Sequence, residues 1–280
     1  MCLVAKAAGP TSHDVVDIVR RALGQSRVGH LGTLDPFAEG LLVVVVGRAT
    51  RLAPYAAGWR KTYEGVIRLG TVTTTDDATG DVTGTSEAWR ALDAGAVRSA
   101  GAALVGEQEQ RPPAFSAVKV GGERAYRRAR RGEAVTLEPR RVTVFDFAVT
   151  EWRPPELRFR ATVSGGTYLR SLARDLGERL GCGAHLAELT RTRVGPFALE
   201  EAVAPQAVTA ADVRDPALLV ADLPQRALTG PEREAVAHGR PIAAREAETG
   251  AIALTADGRL LGVGEVGEGQ IKPRVVLADA

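Results

Sequence analysis

The 280-residue chain reads as an α+β protein, because helical and strand periodicities both occur in it without the strict alternation of βαβ units. Apolar residues recur at helical spacing in residues 11–24 and 169–181, and every second position in residues 62–69, 142–149 and 157–163. A third signal lies in the tail, where Asp257-Gly258 separates two apolar runs as a two-residue hairpin turn does.

Taken in order, Thr11-Ser12 offers an N-cap, Val15, Val16, Val19 and Leu23 share one face, and Gly24 closes a helix of about three turns. Leu41 to Val46 is an apolar, Val-rich run whose length favours a strand buried on both faces, expected at the centre of a sheet. Tyr63, Gly65, Ile67 and Leu69 then share a face opposite Thr62, Glu64, Val66 and Arg68, a half-exposed strand. Val142 to Val149 and Leu157 to Val163 repeat the pattern across the connector Arg153-Pro154-Pro155-Glu156, and such alternation favours antiparallel pairing. Leu169, Leu172, Ala173, Leu176 and Leu180 mark a second helix, ended by Gly181. In the tail, Pro224, Pro231 and Pro241 punctuate a short helical stretch before the strands Ala251–Ala256, Arg259–Val263 and Val275–Leu277. The expected division is 1–220 and 221–280, with a tail small enough to lean on the main domain.

Composition narrows the class. With 45% hydrophobic and 25% charged residues the chain is globular, and its length buries a core without staples. Cys2 and Cys182 stand alone, which argues against a disulfide framework and a zinc site and fits a reducing cytoplasm. The longest apolar run, Leu41 to Val46, falls far short of the ~20 residues of a helical membrane span, and Lys6 after the first apolar residues is unlike a signal peptide. A net charge of +2 gives no global field for nucleic acid. Only Lys6, Lys61, Lys119 and Lys272 are lysines, so 32 of the 36 basic residues are arginines. The guanidinium fork suits phosphate and base stacking, but an Arg-favouring genome accounts for the same bias.

Several segments carry chemistry. Gly29-His30-Leu31-Gly32-Thr33-Leu34-Asp35-Pro36 precedes the buried strand, and Pro36 pushes Asp35 out of helical geometry. A carboxylate on such a rigid loop is a candidate nucleophile or base; an ordinary Asp-Pro turn is the plainer reading. His30 could insert, stack or titrate, or simply be solvated. The four histidines form no pair at metal-binding helical spacing, and no HExxH, P-loop or dinucleotide fingerprint occurs, so the expected chemistry needs no metal or cofactor. Gly165 to Arg170 places Tyr168 and Arg170 at a helix start, as a site or as a tight turn. Gln110 to Lys119 is a rigid basic loop, and Arg124 to Arg131 holds five arginines around Tyr126, either an RNA surface or a solvated helix face.

Together these residues resemble the bacterial TruB-type tRNA pseudouridine synthases. The resemblance rests on the GHxGTLDPxAxGxL segment from Gly29 to Leu41, Lys61-Thr62-Tyr63 opening a strand, the QxPPxxSAxK loop from Gln110, the GTYxR turn and the LGxxLGCGAHL run ending at Leu186. It implies a mixed, mainly antiparallel sheet flanked by helices, a C-terminal PUA-like module, and isomerisation of uridine 55 in the T loop of tRNA. Carried over by position, Asp35 is the catalytic aspartate, His30 enters the T loop, Tyr63 stacks on the uracil, Tyr168 helps hold it, Arg170 pairs with Asp35 and Leu189 lines the pocket. The implied partner is tRNA alone, with no second protein, for a cytoplasmic monomer.

The chemistry explains such a set. Uridine must detach N1 from C1′, rotate and rejoin through C5, which requires a base flipped from its stack; an aromatic platform returns about 1–3 kcal/mol of that cost. Cleavage builds positive charge on the sugar, so an ionised carboxylate helps, whether it attacks C1′, attacks C6 or takes a sugar proton. The chain departs from the family where Ala5-Lys6-Ala7 lacks the usual Asp and Pro, where Thr74 replaces the first Asp of a TDTxDxxG-like loop, and at Arg48; neither of the last two positions is expected to touch the chemistry. A non-catalytic RNA-folding protein is the alternative in another class, disfavoured because binding alone needs no carboxylate that repels phosphate. A synthase steered by a guide RNA and partner proteins is the third, and the short tail speaks against it.

Overall fold

A computed structural model describes residues 1–277 except 117, 121 and 134–136. Its strands are β1 Cys2–Lys6, β2 Val28–His30, β3 Glu39–Val46, β4 Lys61–Leu69, β5 Thr71–Thr73, β6 Val82–Thr85, β7 Gly106–Gln110, β8 Lys119–Val120, β9 Glu123–Arg124, β10 Arg140–Arg153, β11 Glu156–Val163, β12 Ala184–Val194, β13 Phe197–Ala198, β14 Gln225–Ala227, β15 Ile242–Ala243, β16 Ala251–Ala256, β17 Arg259–Gly267 and β18 Gln270–Val276. The α-helices are α1 Ser12–Ala22, α2 Ala53–Ala56, α3 Ala94–Ala102, α4 Ala125–Arg130, α5 Leu169–Arg179 and α6 Gly230–Ala237.

The main sheet runs β1-β3-β12-β4-β11-β10-β7, with β2 added to β3 and β13 to β12. Every pairing in it is antiparallel except the short parallel seam of β3 and β12, so the sheet is mixed and mainly antiparallel, as alternation suggested. The β3 run is buried along its length. It lies beside the edge strand β1 and not at the centre, because β12, β4, β11 and β10 carry the sheet on past it. β4 and β11 turn Tyr63, Ile67, Leu157, Phe159 and Ala161 to one face, where α5 and α3 cover them and Phe147 stacks on Phe159 with rings 5.3 Å apart. Their other face is open and paved with exposed pairs such as Arg68–Glu156 and Arg158–Glu151, each worth little in water.

A second sheet, β14-β16-β17-β18-β15, follows. Asp257 and Gly258 both hold positive φ, 51° and 73°, as a type I′ hairpin turn requires. Ala253, Val263 and Val275 of this sheet join Met1, Leu3, Leu41 and Val43 of the first in one buried cluster, and Arg51 donates to the Val276 and Arg274 carbonyls, so the tail leans on the main sheet through an apolar contact.

The β3–β12 seam fixes where the Gly29–Leu41 segment emerges. Gly40 pairs with Arg191 at φ +109°, and a Cβ there would lie 2.3 Å from the Arg191 carbonyl oxygen. Gly9 has the same φ but open space around it. Gly40→Ala should therefore cost at least about 1 kcal/mol more than Gly9→Ala, the excess reporting backbone collision over strain alone, read from urea unfolding midpoints.

Candidate active site

The Gly29–Leu41 segment leaves β2 and re-enters at β3, and buried cations hold its main chain. Lys6 Nζ donates to the carbonyls of Ala7, Pro36 and Ala38 at 2.9, 3.2 and 2.5 Å. Arg191, fully buried, donates from Nε to Leu41 at 2.8 Å and from Nη2 to Gly32 at 3.1 Å. Lys61 packs against Gly32 and donates to the Trp59 carbonyl. Burial pulls the Lys6 and Lys61 amines down to about 8, with Asp35 opposing the fall at Lys6 and Arg191 adding to it at both.

Asp35 forms the turn and also turns its carboxylate to a partner. Its carbonyl accepts the Ala38 N–H at 3.1 Å, closing a turn, while the carboxylate points away to Arg170. Arg170 Nη2 donates to Oδ1 at 3.1 Å and Nε lies 2.8 Å from Oδ2, off the line of its own N–H. The guanidinium is buried to 5% exposure, whereas the carboxylate keeps 32%, so one flank of the pair stays open. Nη1 of Arg170 donates to the Thr75 carbonyl at 2.9 Å and stands 3.4 Å from Asp77 Oδ2, and Nη2 also reaches the Phe115 carbonyl at 3.0 Å. Asp77 is buried with its other oxygen taken by Thr75 Oγ1, Thr79 N and Thr79 Oγ1 at 2.6–2.9 Å. Burial pushes the Asp35 carboxyl up, Arg170 pulls against it, Asp77 adds to the rise and Lys6 opposes it.

Three of the other sequence candidates lie on or against the elements that carry this pair, and the fourth, His30, makes no hydrogen bond or ion pair with it among the described residues. Tyr63 of β4 and Leu189 of β12 are buried in the same cluster as Leu34, the residue before Asp35. Tyr168 caps α5 two residues before Arg170; its backbone N–H and carbonyl are both held by the Gln110 amide, at 2.8 and 3.1 Å. Burial raises the Tyr168 phenol, and the charges of Arg170, which lowers it, and Asp35, which raises it, both reach it. His30 ends β2 at the start of the same segment, half-buried, with Nδ1 unpartnered and no hydrogen bond or ion pair to Asp35 among the described residues. Burial, then the Arg191 and His13 charges, lower its pKa and keep the ring neutral.

The Gln110 loop is latched to α5: Arg111 O accepts from Ser171 Oγ and Arg174 Nη2. Ala117 and the Lys119 side chain of that motif lie outside the described residues, as do the side chains of Arg124 and Arg130. Of the five arginines in the run, Arg128 pairs with Glu133, and Arg131 with both Glu123 and Glu133, so two of them are spent on neighbouring acids. Sequence reasoning missed Asp77, Thr75 and Arg191. The Thr73–Gly80 loop was legible as a motif, yet its contact with Arg170 depends on the chain folding back so that Leu186 N–H meets the Asp76 carbonyl. No three His, Cys, Asp or Glu residues among those described are grouped to hold a metal ion. No helix among them is long and apolar enough to cross a membrane.

The arrangement can present one ionised carboxylate, steered by a buried guanidinium, to a ligand entering over an apolar and aromatic floor. Known proteins match it along the whole chain. Residues 20–169 match the family model described as TruB family pseudouridylate synthase (N terminal domain), residues 170–228 the tRNA pseudouridylate synthase B C-terminal domain, and residues 224–277 the pseudouridine synthase II TruB C-terminal model. The chain is 48% identical to tRNA pseudouridine synthase B of Thermobifida fusca (strain YX), covering 99% of itself and 97% of that protein, and 44% identical to the protein of the same name from Arthrobacter sp. (strain FB24), over 99% and 96%. In fold it is similar to a chain of the archaeal box H/ACA sRNP Nop10-Cbf5 complex, with a TM-score of 0.73 at 24% identity over 99% of this chain and 86% of that one. With the main sheet, the Asp35 segment and all three family matches in agreement, the chain belongs to the TruB family of pseudouridine synthases.

Proposed function

We propose that this protein isomerises uridine 55 in the T loop of tRNA to pseudouridine, acting as a monomer without a second protein. The observation that carries this reading is the Asp35–Arg170 pair, closed on the protein side and open on the other. The target uridine leaves its stack as His30, a neutral ring at the rim of the segment, takes its place. The freed base settles on Tyr63 against Leu189, with the Tyr168 phenol beside it, offsetting the cost of flipping by about 1–3 kcal/mol.

Asp35 then meets the nucleotide as an anion. Arg170 holds the carboxylate in one orientation, and a dry cleft strengthens that pairing. Whether the oxygen meets C1′, C6 or a sugar proton, it must be ionised to oppose the positive charge that develops as N1 leaves C1′. Asp77 occupies the far side of the same guanidinium and fixes its plane. Residues 221–280 serve as the PUA-like module that extends the contact along the tRNA.

The reaction replaces the C5 hydrogen, so tRNA transcript tritiated at C5 of uridine should release label with purified protein alone; intact label with folded protein would count against the activity. Asp35→Asn should abolish release while retaining tRNA binding, and turnover at the wild-type rate would remove Asp35 from the mechanism. Because the folded state binds the Asp35 proton more tightly than the unfolded chain, ionising it destabilises the fold as pH rises through its range. Wild type should thus lose more stability than Asp35→Asn as pH rises from acid to neutral, read from melting temperatures at several pH values. In single-turnover profiles the rate should fall with acid on a limb lying above the ordinary 3.8 of aspartate, and Arg170→Gln, which removes the opposing charge, should move that limb higher still.

A further inference from the structure

We propose that Ser12 is a positioning residue for the Asp35 carboxylate, a role that rests on the functional reading above. Ser12 opens α1, 22 positions from Leu34 in sequence, and is 2% exposed. Its Oγ accepts the Leu34 N–H at 2.8 Å and donates to the Leu34 carbonyl at 3.0 Å. One hydroxyl therefore closes on both peptide groups of the residue before Asp35. The Leu34 carbonyl shares a peptide plane with the Asp35 nitrogen, so holding it fixes the direction in which the Asp35 side chain leaves the backbone.

The helix itself does not require this hydroxyl. Its N-terminus is already capped by a reciprocal box, with Asp14 N–H donating to Thr11 Oγ1 at 3.1 Å and Thr11 N–H to Asp14 Oδ2 at 2.7 Å. The Ser12 hydroxyl is thus left to act on the loop. On the other side of Asp35, Lys6 and the Gly9 N–H take the Pro36 carbonyl at 3.2 and 2.8 Å. The Asp35 carbonyl itself accepts the Ala38 N–H, and among the described residues it is Ser12 that donates to the preceding Leu34 carbonyl. Misplacement of a reacting group by about 1 Å can cost 10²-fold in rate.

The test compares Ser12→Ala, Ser12→Thr and Val15→Ala by single-turnover tritium release, tRNA binding and thermal melting. Val15 is buried on the same helix, away from Leu34, and its truncation supplies a destabilised control. Ser12→Ala should slow the step about 10–100-fold with binding changed by no more than about twofold. Ser12→Thr, which keeps a hydroxyl, should recover most of the rate, and Val15→Ala should melt at least as early yet react at the wild-type rate. The assignment is overturned if Ser12→Ala reacts normally, if Thr is as slow as Ala, or if Val15→Ala is slowed equally. Turnover by Asp35→Asn would instead overturn the functional reading itself, so the two failures are separable.

Discussion

A single guanidinium organises this site. Arg170 is buried between Asp35 and Asp77 and spends its remaining donors on the Thr75 and Phe115 carbonyls. Three distant stretches of chain thereby converge on one side chain. Stripping water from an arginine costs several kcal/mol, so the charge is tolerable only with these partners in place, and removing one carboxylate leaves the cation for the other to compensate. The planar fork also explains why a lysine would not serve: a point charge cannot fix the orientation of a carboxylate or bind two acids and two carbonyls in one plane.

The Asp35 segment depends on a related device. Its carbonyls turn inward onto Lys6 and Arg191, cations with no carboxylate among their hydrogen-bond partners in the described residues. Main-chain dipoles satisfy these charges, and the depressed Lys6 amine shows that burial still weighs against the charged form. A loop held by its backbone need not spend its side chains on holding itself, and so Asp35 forms a turn through its carbonyl while its carboxylate faces Arg170.

Much of this was legible in the residues. The α1 and α5 periodicities, the alternation of β4 and β11, and the Asp257-Gly258 hairpin follow from local sterics and from burial of one face, and the structure reproduces each. Tyr168 and Arg170 stood out at the junction of strand and helix, as a site or a tight turn, and the structure sets Arg170 against Asp35. Asp77 did not, because a Thr-rich turn with acidic residues has the same local signature whether it is solvated or folded over a guanidinium. The arginine run, read either as an RNA surface or as a solvated helix face, shows what a count of charges leaves out: that Glu123 and Glu133 lie within reach of Arg131.

The sequence by itself determined which segments are helix or strand, which faces are apolar, and which loop presents an Asp ahead of a buried strand, since these are set by neighbours a few residues apart. Tertiary structure decided the strand order, the off-centre place of β3, the seam through Gly40, and the meeting of Asp35, Asp77 and Arg170. Contacts spanning more than a hundred residues, such as Arg170 with Asp35, carry no local periodicity; they exist only once the sheet has fixed where each loop emerges.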